Sequence, residues 1–583
     1  MTILLGAAAL TAPALAVAGS ADARFADIAR RWLEHYLSLQ PIGATQTGDH
    51  RFDAEIDDMS AAGRGARLRA WQLTIAELTA LDRSKLSRDN QVDAAILSNE
   101  LRHKIWDDTI FESWAWNPQI YSGLAGDALY GLMSREFAPL PDRMRSAISR
   151  MEKLPGLLAQ MRENLVPARV PLVHAQTVSK QNGGVANLVD TMVLIHADVL
   201  SANEKKRLQT AALALKRVVA DHQTWLDKIL VPNAKGEFRI GAKLFDEKLA
   251  FALNSPMSHK EIRTRAEVAV KETREKMYAV SVEALARHNT PVSSSDVTTP
   301  EHQQKTIEAA LALAYAEIPA RDEVVATAKA SLTRATDFVR TNDLITLPNS
   351  PVEVVLMPEF ARGVAVAYCD SPGPLDKRMK TYFDVSPIPD DWTPEQTGSF
   401  LREYNSLAIQ DVAVHEAMPG HYVQLWHANA CPSVLRAVLS SGSFVEGWAV
   451  YAEGMMVEQG FLADNPLYKL AQLKVLLRTI TNAILDQALH VDGMSQDEAM
   501  HLMTVTAFQQ EREAAGKWIR ASLSSTQLST YFVGVSEHST IRAEAKRRAG
   551  DTFDLKAYHD RVLAYGSAPA RYVRALMFDE QIG

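Results

Sequence analysis

A mainly helical protein with a small β-element shortly before residue 400 is predicted for this chain of 583 residues. Three observations predict it. Apolar residues recur at three- and four-residue spacing through most of the first 344 positions. The 28 Gly and 25 Pro residues gather between those stretches, where they break helices. The most strand-like runs cluster between residues 352 and 385.

The elements follow in order. Phe25–Leu39 carries a helical apolar stripe and stops before Pro41. Ala66–Leu81, Gln91–Ile110 and Met144–Asn164 repeat the pattern, and Pro155 predicts a kink in the last. Asn203–Leu230, Lys260–Arg287, Gln304–Ala316 and Pro319–Leu344 are the next helices. His288–Gln303 (HNTPVSSSDVTTPEHQ) is polar and rich in Ser, Thr and Pro, which marks an internal boundary or a long surface loop. Val352–Met357, Gly363–Tyr368 and Thr381–Val385 read as strands beside a stretch punctuated by Pro372, Pro374, Pro387, Pro389 and Pro394. No internal repeat of fixed period is present.

Composition bounds the function. The 62 Lys+Arg and 70 Asp+Glu residues leave a net charge of −8 with no long basic run. That argues against a nucleic-acid partner, since such affinity comes largely from neutralising phosphates. Two cysteines, Cys369 and Cys431, cannot build a thiolate zinc module or a disulfide scaffold, and their spacing does not say whether they pair. Ile3–Ala18 is apolar and small but too short for a membrane span. Ala16-Val17-Ala18 and Ala21-Asp22-Ala23 have the form of signal-peptidase sites. A secretory signal over residues 1–23 is therefore expected, which places the mature protein in the periplasm or outside, with no stable membrane span. The basic start of such a signal is missing, because no Lys or Arg precedes Arg24. A start codon assigned a few positions late would account for that.

The chemistry gathers in Asp411–Ala428 (DVAVHEAMPGHYVQLWHA). His415 and His421, with Glu446 downstream, are candidate ligands for zinc, which takes N and O donors and keeps a position for water in catalytic sites. Glu416, next to the first His, is placed to act as general base. On a regular helix, six residues at ~100° each set His421 roughly 120° away from His415. Both can face one ion only if the helix is interrupted, and Pro419-Gly420 supplies the interruption. A kinked core helix with idle histidines fits the same spacing, so this pattern leaves both readings open. Glu446 and Glu453 stand seven residues apart on one helical face, which makes Glu453 a candidate to orient a ligand His. His427 reads as structural or surface. Neither a G-x-S-x-G element nor a phosphate-binding G-x-x-x-x-G-K-[ST] loop occurs.

The H-E-x-x-P-G-H element (His415–His421), followed by E-G-W-A-x-Y-x-E (Glu446–Glu453), resembles the bacterial domain of unknown function 885 family. Softer matches lie near both ends: Pro41-Ile42-Gly43-Ala44-Thr45 with Gly48, Phe52 and Asp53, and later Gln527, Tyr531, Gly534, Arg542, Gly550–Asp554 and Tyr558-His559-Asp560. Members are regarded as zinc metallopeptidases of gluzincin type, related to helical carboxypeptidases and oligopeptidases. The resemblance implies one zincin-like domain over residues 24–583, with two helical lobes flanking a deep channel and one Zn2+ per chain at its floor. It implies a short peptide as substrate. It also suggests Tyr531 and His559 as oxyanion donors, with a packed helix aromatic and a capping or core imidazole as the respective alternatives, while Arg542 is either a clamp for a substrate carboxylate or a structural ion-pair partner. Thr381–Val385 would be an edge strand that aligns an extended peptide, with Tyr382 at the substrate.

The leading expectation is an exported zinc peptidase. A zinc hydrolase of non-peptide amides or esters uses the same residues. A non-catalytic helical binding protein with a degenerate metal site is the third possibility, and the intact Glu416 argues against it.

Overall fold

The computed structural model describes residues 14–290, 299–357, 367–376, 379–390 and 392–582. The first 13 residues of the expected signal, residues 291–298 of the expected loop and residues 363–366 of the second strand run lie outside them. The protein is mainly α: 75% of it is helical, and the described residues form one three-stranded sheet.

The helices read from periodicity are present, and most start earlier than the apolar stripe does. Ala61–Ala80, Arg88–Trp106, His259–Arg287 and Pro300–Ala314 each begin directly after a Ser or Thr (Ser60, Ser87, Ser258, Thr299) whose hydroxyl accepts a backbone N–H of the first turn. Capping sets those starts, because the first turn needs acceptors for its orphan donors whether or not it is apolar. Pro155 sits inside one assigned helix, Leu140–Asn164. The N-terminal helix extends back from the predicted Phe25 to Ala14 and runs through both candidate cleavage sites. Its Asp22 carboxylate accepts from Ser87 N at 3.0 Å and Asn90 Nδ2 at 2.8 Å. Among the described residues, no helix is long and apolar enough to cross a membrane.

The sheet has the order β1-β3-β2, with β1 Glu353–Leu356, β2 Ala367–Asp370 and β3 Tyr382–Val385. β3 pairs in parallel with β1 and antiparallel with β2. This corrects the expectation for Thr381–Val385. The strand is central rather than an edge, and Tyr382 faces Glu353 on one side and Asp370 on the other. Its backbone has no free side for a peptide. Side-chain periodicity reports which face of a strand is buried and carries nothing about strand order, so the sequence could not distinguish the two. β2 is an edge. Cys369 on β2 and Cys431 are both free thiols.

Eight helices frame the site: α1 His259–Arg287, α2 Ser406–Glu416, α3 His421–Ala430, α4 Gly442–Glu458, α5 Pro466–Gln487, α6 Glu511–Leu523, α7 Gln527–Ala549 and α8 Leu555–Ala564. The largest apolar core joins the sheet (Phe383, Val385) to α2 (Ala413, Val414), α3 (Val423) and α4 (Trp448, Ala452). α5 packs along α1, and α4 packs along α7. The second contact is backbone on backbone. A Cβ on Gly534 would lie 1.9 Å from Ser443 O, and one on Gly447 would lie 2.3 Å from the Gly534 carbonyl carbon. Neither neighbour is a flexible side chain, so α4 and α7 would have to separate. Gly534→Ala is expected to cost about 3 kcal/mol, the upper end of ordinary overpacking. A drop in the denaturation midpoint measures it, and an unchanged midpoint refutes the contact.

Candidate metal centre

The site begins where α2 stops. Asn405 caps the start of α2, its side chain accepting from Leu407 N and Ala408 N. The helix ends at Glu416, since Pro419 cannot continue the ladder. Gly420 N then donates to Val414 O at 3.0 Å. A Cβ at Gly420 would fall 1.8 Å from His415 O, so only glycine allows the chain to fold back this tightly over the last turn of α2. Trp448 Nε1 from α4 donates to Pro419 O at 2.9 Å and pins the turn. α3 starts immediately, at His421.

The turn brings the two imidazoles together. Their ring centroids lie 4.8 Å apart with planes at 89°. Glu446 Oε2, from α4, stands 3.8 Å from His415 Nε2 and 3.5 Å from His421 Nε2. All three ligand atoms lie within 4.8 Å of one another, and among the described residues this is the one such group. Donors at ~2.1 Å from a tetrahedral zinc lie about 3.4 Å from each other. The two Glu446 separations are close to that edge, so the residues present fit a zinc ion.

The surroundings orient the set. His415 Nδ1–H donates to Glu453 Oε1 at 2.6 Å, which leaves the Nε2 lone pair aimed at the group. Glu453 is fully buried. Burial by itself would raise the Glu446 carboxyl, but the two imidazoles outweigh it and hold it well below the usual range. Burial would likewise lower His415, and Glu446 and Glu453 instead raise it. Burial pushes the Glu416 carboxyl up, toward the range a general base needs, against the pull of both histidines. Its Oε2 accepts the Cys369 N–H of β2 at 3.0 Å.

Four other expected site residues lie differently. Tyr531 is half-buried, and its hydroxyl accepts from Arg520 Nη2 at 3.2 Å and Gln527 Nε2 at 3.3 Å. Burial raises its phenol, and Glu446 is the strongest charge acting on it in the same sense. Its own proton is committed to neither contact. His559 is a correction. Its ring is fully buried, with Nδ1 bound to Leu344 O and Nε2 to Tyr451 Oη, both at 2.8 Å, so neither nitrogen is available to a substrate. Arg542 is a correction too. Its guanidinium is held in a fork by Glu458 at 2.6 and 2.9 Å, so it is an ion-pair partner rather than a substrate clamp. Tyr382 lies in the central strand, as described above. His427 binds Thr346 O through Nε2 and takes no part in the cluster.

The family model for "bacterial protein of unknown function (DUF885)" matches residues 41–577. The chain belongs to this family. A DUF885 chain of this length also has close structural counterparts. A candidate lipoprotein of unknown function from Shewanella oneidensis is 33% identical, with a TM-score of 0.80, over 95% of this chain and 99% of that one. A candidate lipoprotein from Colwellia psychrerythraea is 17% identical, with a TM-score of 0.77, over 95% and 98% of the two chains. The second likeness concerns the fold alone. No curated protein matches the DUF885 chain.

Two contacts of the DUF885 site escaped the sequence reading. Asp411, four residues before His415, is buried, accepts from Tyr468 Oη at 3.3 Å, and is pushed well up by burial and then by Glu453. Its i, i+4 spacing to His415 was the available signal. The Cys369 N–H bond to Glu416 had no signal, because it joins a backbone donor to a side chain 47 residues away.

Proposed function

We propose that this chain is an exported zinc-dependent hydrolase that cleaves short peptides. The observation that carries the reading is the convergence of His415, His421 and Glu446 with Glu416 alongside. One zinc ion bound there supplies Lewis-acid polarisation and the charge that activates water. Glu416 takes the proton of the attacking water and passes it to the leaving amine. Glu453 fixes the ring of His415 and its tautomer. Tyr531 has the uncommitted O–H suited to an oxyanion. A peptide substrate is supported by β2, which among the described residues pairs with a strand on one side only and reaches the group through the Cys369 N–H bond to Glu416, since an extended peptide suits such a strand. Export is supported by the small apolar N-terminal stretch, and the S. oneidensis relative is itself described as a candidate lipoprotein.

The test is metal analysis of the purified chain together with a panel of short peptides, simple amides and esters. The expected result is one zinc per chain and peptide hydrolysis that chelation removes and zinc restores. Hydrolysis confined to the esters or simple amides would replace the substrate class. No zinc bound, even when added, would defeat the reading.

A further inference from the structure

A cavity of about 200 Å³ lies between α1, α7 and a further helix, α9 Ala570–Phe578. It is on the side of α7 turned away from α4. Gly534 and His538 face α4: Gly534 meets Gly447, and His538 Nε2 bonds Phe444 O at 3.0 Å. Phe532, Ser536 and Glu537 lie on another stripe of α7 and line the cavity. Most of the lining is apolar, with Met257, Ile262, Phe532, Val533, Ile541 and Ala570. Its charged members are Glu537 and three arginines, Arg265, Arg571 and Arg574. Arg265 and Thr540 are exposed, so the cavity opens to solvent there.

Glu537 is half-buried, and among the described residues no hydrogen bond or ion pair engages its carboxyl. Arg571 and Arg265 act on it only through their charge, and burial pushes it up to about 7 against their pull. A carboxyl held in an apolar wall without a donor costs free energy, which a ligand ammonium recovers. The arginines have acceptors of their own. Arg265 donates to Glu261 at 2.5 Å, Arg574 is forked on Glu580 at 2.8 and 2.9 Å, and Arg571 Nη1 donates to Asn254 O at 3.1 Å. A guanidinium carries five donors, so Arg265 and Arg571 can each take a ligand oxygen as well. Opposite charges side by side match a zwitterion. A simple anion would meet Glu537, and a simple cation would meet the guanidiniums. A cavity of ~150 Å³ takes up benzene, so this one has room for one small molecule and not for a peptide.

We propose that this cavity binds one free amino acid with an apolar side chain, at a site separate from the metal group. Its ammonium meets Glu537, its carboxylate meets Arg571 and Arg265, and its side chain lies against Ile262, Phe532 and Val533. Binding there needs neither zinc nor hydrolysis.

Titration calorimetry of the purified chain tests it with L-leucine and L-phenylalanine. The comparison ligands are 4-methylpentanoate, 3-methylbutylamine and glycine, which lack the ammonium, the carboxylate and the apolar side chain in turn. At least one of the two amino acids is expected to bind about 10-fold or more tightly than each of the three, the worth of one charged hydrogen bond. Glu537→Gln keeps the side-chain shape and is expected to weaken that binding by about the same factor. Tightest binding of the acid or the amine overturns the zwitterion, and so does equal binding of all five. No binding of either amino acid at millimolar concentration overturns the site. Affinity unchanged in Glu537→Gln, or lost when a chelator removes zinc, places the amino acid elsewhere and overturns it too. The panel on the unaltered chain decides the matter even if the variant fails to fold.

Discussion

Replacing Glu416 with Gln is expected to leave zinc bound and to lower peptide hydrolysis by ~10²–10⁴-fold, the usual worth of a positioned general base. Gln and Glu have the same shape, and Gln keeps an acceptor for the Cys369 N–H that Glu416 now receives at 3.0 Å. The β2 edge therefore stays in place, and the three ligand atoms belong to other residues. What is lost is the ability to accept and return a proton. Burial already lifts the Glu416 carboxyl above its ordinary value, so its replacement by a neutral amide removes a tuned group without leaving an unpaired charge. Zinc content by mass spectrometry and kcat on one peptide decide the matter together. A variant that keeps its zinc and its rate would remove Glu416 from the chemistry.

Replacing His421 with Ala is expected to weaken zinc binding by on the order of 10²-fold. Four-ligand zinc sites are worth ~10–16 kcal/mol, so each ligand carries about 3 kcal/mol, or roughly two decades of affinity. The loss should not come from unfolding, because His421 is a helix-start residue whose ring keeps some contact with solvent. His427→Ala is the matched control. It lies on the same helix, its ring binds Thr346 O instead of the cluster, and its removal is expected to leave zinc affinity unchanged. Competition against a chelator of known affinity measures both. Equal affinity in the His421 and His427 variants would exclude His421 from the site.

Legibility in the sequence followed the range of the interaction. The helices could be read because an amphipathic stripe is a local pattern, and Ser60, Ser87, Ser258 and Thr299 moved their starts by capping, also a local effect. The candidate His-Glu group was readable for a related reason. His415, Glu416, Pro419, Gly420 and His421 fall within seven residues, and the Pro-Gly break states in the chain itself that the helix must turn there. Glu446 and Glu453 share a helical face, so one spacing put both beside the histidines, while the structure decided that Glu446 stands at both Nε2 atoms and Glu453 at His415 Nδ1.

Long-range neighbours were not readable. His559 and Arg542 carry the chemistry expected of site residues, yet Leu344, Tyr451 and Glu458 claim them first, and those partners are distant in sequence. β3 resembled an edge strand because a strand carries no record of its flanks until its neighbours pair with it.

By itself, then, the sequence determined a mainly helical chain and a compact His-Glu-Pro-Gly-His turn, since both depend on backbone preferences acting over a few residues. Only the tertiary structure decided the rest. The contact of Gly447 on Gly534 sets α4 against α7, which brings the helix that carries Glu446 against the one that carries Tyr531, and Lys474 and Lys517 find their carboxylate partners in Glu403 and Glu513. The physical reason is that charge and hydrogen-bond satisfaction are properties of neighbours in space, and burial alone makes an unpaired group consequential.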